Sequence, residues 1–399
     1  MKKSSDQVRI GIVGVSGRGW LSKHWHQPNG KSIVVAGADL HDKFLAEFRK
    51  EYGESAFTAR DYRRLLERKD IDAIAVTTPD HCHEEQAIAA LEAGKHVFCE
   101  KPLAITTEGC DRILKAWKAS GKHLMVGFCM RYMNIFRTMK EIVEAGTIGE
   151  IRAVWVRHFV GMGGRWYFHD WHASRKTATS LLLQKASHDI DMIHWITGQY
   201  TRKVAAFGSL DFYGGSKPNS RECFTCPERD TCTEAQAWPH HSYCCFRKEV
   251  DVEDNSVVMM ELGSGIKAVY TQCHFTPDYF RNYTFIGTEG RIENLDDTSK
   301  VILKTRSLSR KWKNLADRTY DVKPAQGGHG GSDPLICADF VEMIRTGKKP
   351  VADPVAGRMS VAVGCAATRS LRSGGKVVDI KPLPAMIAQR AVTARAQRR

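Results

Sequence analysis

The chain has 399 residues, 42% hydrophobic and 26% charged, enough to bury the cores of two domains and unlike a disordered or fibrous protein. No apolar run approaches the roughly 18 residues of a membrane span, and the opening MKKSSDQVRIG lacks the apolar stretch of a secretory signal, so a cytoplasmic protein with no membrane partner is expected. The formal charge of +14 is spread along the chain apart from an arginine-rich tail, and no basic stripe with interleaved aromatics marks a nucleic-acid surface.

Taken in chain order, VRIGIVGVSGRGW reads as a buried strand at 8–14 that turns through glycines into a helix, the way a dinucleotide-binding unit begins. Backbone amides of that turn would hold a pyrophosphate at a helix N-terminus. A second strand at 33–39 ends in Asp39, placed to grip ribose hydroxyls. Further strands are expected at 73–77, 96–99 and 123–127, with HEEQAIAALEAGKH forming an amphipathic helix stopped by Gly94. This alternation predicts a doubly wound parallel sheet in an α/β domain over 1–130, its strand ends facing one ligand crevice. There, Glu100-Lys101-Pro102 sets an acid, an amine and a rigid imide at the end of a strand.

Beyond Ile148 the pattern changes. Segments 151–160, 203–213, 256–262, 266–273, 282–287 and 300–305 read as successive strands, several joined by glycine turns. They predict a mostly antiparallel sheet of about six strands in a second α/β domain over 131–380, with helices at 334–346 and 357–373 and a basic tail at 381–399.

Hydride transfer from a carbinol needs a group to take the hydroxyl proton, and Lys101 and His188 are the candidates. His188 follows Ser187, read as an N-cap, and precedes DIDMIHWIT with Gly198 as the stop. It therefore belongs in a first helical turn, where the helix dipole disfavours a protonated ring; an ordinary structural histidine is the alternative. The aromatic, basic stretch 164–176 offers Trp171 to stack on a sugar face and Arg165, His172 or Arg175 to engage a carboxylate or sulfonate; a solvated loop is its alternative.

Five of the twelve cysteines fall within 223–245, inside an insert at 220–246. Clustering points to metal rather than disulfides, and Cys223, Cys226, Cys232 and Cys244 could close a tetrahedral structural zinc site. Unmetallated thiols, an iron–sulfur cluster, and Cys245 in place of Cys244 stay open. Adjacent His240 and His241, with no basic recognition helix, argue against a nucleic-acid finger.

The succession GVSGRG, Asp39, TTPDHCH at 77–83, ALEAGKHVFCEKPLA at 90–104 and HDIDMIHWITG at 188–198 resembles the glucose-fructose oxidoreductase / inositol dehydrogenase / rhizopine-catabolism (Gfo/Idh/MocA) family over nearly the whole chain. ALEAGKHVFCEKPLA is the specific part of the match. The resemblance implies an N-terminal Rossmann domain, a C-terminal α/β domain with a large open sheet, NAD(P)-dependent chemistry on a sugar or cyclitol, and homodimers or homotetramers paired through that sheet. It implies NAD contacts from Gly14, Ser16, Gly17, Arg18, Gly19, Asp39, Thr78, Pro79, His83, Glu100, Lys101 and Arg131. It also implies a cis Lys101–Pro102 bond, a catalytic place for His188 and a place near the substrate for His329; the residue reading adds Arg165, Trp171, His172 and Arg175.

Two departures stand out. Ser16 occupies the second glycine position of Gly-x-Gly-x-x-Gly, and Gln184 occupies the place where inositol-type dehydrogenases often carry an aspartate, four residues before the histidine. An amide cannot relay a proton as a carboxylate can. Three functions follow. The first is an NAD-dependent oxidoreductase on a hydroxyl of a sugar or glycoside, anionic like a uronate or sulfosugar. The second is a redox-neutral NAD-dependent glycosidase, working by oxidation, elimination, water addition and reduction on an anionic glycoside such as a sulfoquinovoside or glucuronide. The third, a non-catalytic NAD or sugar sensor, has no need of Lys101 and His188.

Overall fold

Short apolar runs punctuated by glycine and proline become strands because helices bury them on both faces. In the computed structural model, which describes residues 7–235, 243–295, 299–306, 316–385 and 387, these runs are β1 (Val8–Val13), β2 (Ser32–Ala38), β3 (Phe57–Ala59), β4 (Ala73–Val76), β5 (His96–Cys99) and β6 (Leu124–Val126). All pair in parallel, in the order β3-β2-β1-β4-β5-β6, the doubly wound arrangement. Every residue of β4 is buried. The helix Thr107–Ser120 starts where the Thr106 side chain accepts from the Gly109 amide and ends at left-handed Gly121. The edge strand β3 was not expected from the sequence: FTA is too short to show a period.

The second sheet holds β7 (Ile151–Phe159), β8 (Thr201–Ser209), β9 (Asn255–Leu262), β10 (Lys267–Cys273), β11 (Phe280–Gly287), β12 (Gly290–Asn294), β13 (Lys300–Thr305), β14 (Arg318–Asp321) and β15 (Val378–Asp379). Their order is β14-β13-β12-β11-β7-β10-β9-β8-β15, nine strands among the described residues rather than about six. β12, β14 and β15 escape a sequence reading because they are short and largely polar. Pairing is antiparallel except between β7 and β10. Alternation along β7 buries Val154, Val156 and His158 on one face and leaves Trp155 and Arg157 exposed on the other.

Two compact units result. One comprises the chain up to Tyr132, Gln326–Val361 and the segment from Lys381; the other comprises Met133–Ala325 and Ala362–Ile380. The stretch 326–361, expected within the second domain, thus belongs with the first. Packing explains it: Phe340 of the helix Gly328–Thr346 meets Trp25 edge-on at 5.8 Å, and the Trp25 indole donates to the Cys337 carbonyl at 3.1 Å. No helix among the described residues is long and apolar enough to cross a membrane. His240, His241 and the tail beyond 387 lie outside the described residues.

Candidate active site

In the first unit the site grows from the turn after β1. Gly14 has φ +85°, and a Cβ there would lie 3.0 Å from the Thr77 and Thr78 backbone, so only glycine fits. At Gly19 a Cβ would come within 2.2 Å of the Gly14 carbonyl oxygen. Ser16, by contrast, has an extended backbone with φ −90° and ψ 174°, so losing glycine there costs no strain. A Cβ at Gly17 would meet nothing within 4 Å. That open ground before backbone amides fits a dinucleotide pyrophosphate.

Asp39 lies just after β2, and its carboxylate accepts from the amides of Val15 at 3.2 Å and His41 at 3.1 Å. It is tied to the glycine turn, where a ribose-gripping acid should be.

Arg18 does something the sequence did not show. Its Nε donates to Glu100 at 2.8 Å, and its terminal nitrogens reach Asp333 at 3.2 Å and His329 Nδ1 at 3.2 Å. His329 Nδ1 also lies 2.9 Å from Asp333. Burial pushes the Asp333 carboxyl up, but the His329 hydrogen bond and the Arg18 charge outweigh it and bring it down to about 2. Arg18 is thus the centre of a partly buried ion cluster. His329 sits at φ +50°, ahead of left-handed Gly330 and Gly331, and its side chain stays half exposed. Asp333 could have been suspected from its spacing four residues after His329.

Glu100 is buried, accepts from the Lys101 amide at 3.1 Å, and fills the space that Gly127 leaves open, since a Cβ there would lie 2.7 Å from its carboxylate. The Lys101–Pro102 bond is cis. Thr78 donates to Gln86 at 2.6 Å, and Pro79 opens the short turn Asp80–Cys82. His83 is fully buried, with Nδ1 2.7 Å from the Pro102 carbonyl and Nε2 2.8 Å from that of Thr78. It braces two loops. Arg131 is buried too, its guanidinium donating to the Val351 carbonyl.

In the second unit His188 lies in the first turn of the helix Ala186–Thr197. Ser187 is not its N-cap, because the helix begins one residue earlier and Lys185 holds the cap position. Ser180 is the capping serine, accepting from the Leu183 amide at the preceding turn. Gln184 is buried just ahead of that helix.

Next to His188, Asp189 is fully buried against the sheet. It accepts from His158 Nδ1 at 3.0 Å and Tyr270 at 2.9 Å, from Tyr283 in a shorter contact, and pairs with Arg281 at 3.4 Å. Arg281 also donates to His158 Nε2 at 3.1 Å. Burial and then the Arg281 charge push His158 down to about 3, so it is neutral. Burial alone would raise Asp189, but Arg281, His158 and Tyr283 hold it far below the usual carboxylate range. This hub was missed; its only sequence signal is an acid on the buried side of an apolar helix.

The stretch read as a loop forms short helical turns at Gly164–Phe168, Trp171–Ala173 and Arg175–Ala178. Trp171 stacks on His172 with ring centroids 3.6 Å apart. Arg175 is committed to buried Glu253 at 3.0 Å, and Arg165 lies 5.9 Å from the Trp166 ring.

The cysteines do not converge as the zinc reading requires. Cys226 turns to Arg221 at 2.9 Å, whose hydrogen bond holds the thiol below its usual range, while Cys223 lies 3.6 Å from His169 Nδ1. Cys245 rather than Cys244 is buried. Among the described residues no group of three or more His, Cys, Asp or Glu side chains is placed to hold a metal ion. Cys223, Cys226, Cys232 and Cys244 therefore do not form a fitting site.

The parallel sheet, its glycine turn and the second open sheet define a two-domain nucleotide-binding oxidoreductase fold. The signature of an oxidoreductase family's NAD-binding Rossmann fold matches residues 8–128, and that of its C-terminal alpha/beta domain matches 140–380. The chain belongs to the Gfo/Idh/MocA oxidoreductase family. It is 33% identical over 328 residues to an inositol 2-dehydrogenase/D-chiro-inositol 3-dehydrogenase of Shouchella clausii, covering 79% of this chain and 81% of that protein. With a myo-inositol 2-dehydrogenase of Thermotoga maritima it shares 30% over 370 residues, 91% of this chain and 96% of the other. A levoglucosan dehydrogenase in complex with NADH and levoglucosan has the same fold, with TM-score 0.76 and 20% identity over 94% of this chain and all of that one.

Proposed function

We propose that this protein oxidises a hydroxyl of a sugar, glycoside or cyclitol, with NAD as hydride acceptor. The observation that carries it is the Gly14–Gly19 turn beside Asp39, open in front of Gly17, in the same unit as the strand-end Glu100-Lys101-Pro102. The inositol dehydrogenase relatives support a polyhydroxylated substrate. Arg18 and Glu100 fix the floor of the site, and Lys101 and His188 manage the proton of the hydroxyl being oxidised. Bound NAD supplies the hydride acceptor.

Gln184 favours a second reading, the redox-neutral glycosidase, because a site without the expected carboxylate departs from inositol-type oxidation. The anionic-substrate reading rests on Arg165, His172 and Arg175, of which Arg175 is paired with Glu253 and His172 with Asp170. We place the protein in the cytoplasm, where its free cysteines stay reduced, and assign it a homo-oligomer paired through the second sheet. Zinc keeps only the cysteine spacing in its favour; metal analysis of protein expressed without added metal decides it.

Purified protein with NAD and a panel of sugars, cyclitols, uronates, sulfosugars and aryl glycosides is the test, with NADH and aglycone followed separately. NADH accumulation is expected. Aglycone release that requires NAD but leaves no NADH selects the glycosidase, and sugar binding without either product selects the sensor.

A further inference from the structure

Within the second unit, Asp170 and His172 are built as a dyad. Asp170 accepts the His172 amide at 2.9 Å and, with the same oxygen, the His172 Nδ1 proton at 2.6 Å. A carboxylate on Nδ1 fixes the tautomer and leaves Nε2 as the basic nitrogen. No partner meets Nε2 among the described residues. The ring is held on two sides, by Trp171 stacked at 3.6 Å and Tyr167 edge-on at 5.4 Å. The same Tyr167 ring lies 5.2 Å from the Lys185 ammonium, and Lys185 stands three residues before His188, on the same side of the chain's helical turn. A line of contacts therefore runs from His172 through Tyr167 to the turn that carries His188.

A carboxylate on the far nitrogen serves a proton-transfer histidine, because it orients the ring and stabilises the imidazolium that forms when Nε2 takes up a proton. We propose that His172, backed by Asp170, is a further acid–base group of the substrate site, supplying the carboxylate-backed base that Gln184 cannot. It rests on the oxidoreductase reading above. In the step, Lys101 and His188 hold the substrate hydroxyl while its O–H bond breaks, and the proton passes to His172 Nε2. The C–H bonding pair leaves the same carbon as hydride to NAD, giving a carbonyl, and the imidazolium later returns its proton to water. Around the dyad stand Tyr167, Lys185 over it, His274 against its edge, His169 beside Asp170, and Arg247, which donates to the Asp170 carbonyl at 3.4 Å.

The test uses full-length protein, NAD and the carbohydrate that gives the highest turnover. His172→Gln is expected to lower kcat about 10²-fold with KM and NAD affinity nearly unchanged, and to remove the imidazole ionisation from the acid limb of kcat/KM. Asp170→Asn, which keeps the packing, is expected to lower kcat less and shift that limb. Thermal melts and NAD titration check folding. If His172→Gln keeps the wild-type kcat and pH profile, or raises KM alone, the dyad proposal is overturned while the oxidoreductase reading stands. If wild-type protein binds NAD but oxidises no carbohydrate, the reading fails and the dyad's role falls with it.

Discussion

Lys101 is the residue on which the proposed chemistry leans most. Replacing it with alanine removes the amine and keeps the backbone amide that donates to Glu100. Lys101→Ala should leave NAD binding within a few-fold and lower kcat by roughly 10² to 10⁴; near-normal turnover would sink its role. The glycine turn allows an opposite comparison. Ser16→Gly should be almost neutral for NAD affinity, because the backbone there is already extended. Gly19→Ala should weaken NAD binding and destabilise by about 1–3 kcal/mol, since the new methyl meets the Gly14 carbonyl at 2.2 Å. Calorimetric NAD titration and urea unfolding separate the two. The glycines and Asp39 were legible in the sequence because their spacing encodes a local turn. Arg18 enters the sequence reading only as an NAD contact implied by the family resemblance; its ion pair was not legible because its partner Asp333 is 315 residues away in the chain.

Among the elements, the helix Ala186–Thr197 is fastened to β7, β10 and β11 by Asp189 and its four partners. Sequence could place His188 in a first turn but not reveal what holds that turn, since the partners come from three strands distant in the chain. Asp189→Asn removes the carboxylate that pairs with buried Arg281, a change expected to cost about 3–5 kcal/mol in unfolding free energy. His158 adds a pH dependence with a definite sign. The unfolded chain takes up its proton near pH 6.5, but the folded one only near 3. Between those values the unfolded state binds more protons, so stability is full above the unfolded pKa and falls as pH drops. Buried His274, pushed down by burial to about 3, works in the same direction. Melting temperature should therefore decline steadily on acidification through this window, and less steeply in His158→Gln; a flat wild-type profile contradicts the assignment.

At the scale of the whole molecule, the open face of the second sheet bears on the proposed assembly. Register puts Trp155, Val269 and Met259 in one row across β7, β10 and β9, and Thr271, Val257 and Phe207 in the next across β10, β9 and β8. On that face Trp155 is 56% exposed, Phe207 59%, Met259 50% and Val257 41%. Exposed apolar side chains in adjacent rows make a contiguous patch, which a monomeric soluble protein rarely leaves bare. A twofold partner presenting the same rows would cover it with like surface. The sequence suggests such pairing only through its family resemblance, because a strand pattern with apolar residues on both sides does not say what covers the second side. Trp155→Asp combined with Met259→Asp puts charges into the middle of the patch without touching the buried face. Light scattering should show wild-type protein as a dimer or tetramer and the double variant in a smaller state, with NAD affinity retained. A wild-type monomer at micromolar concentration would remove the assembly, and an oligomer unchanged by both substitutions would move the interface to another surface.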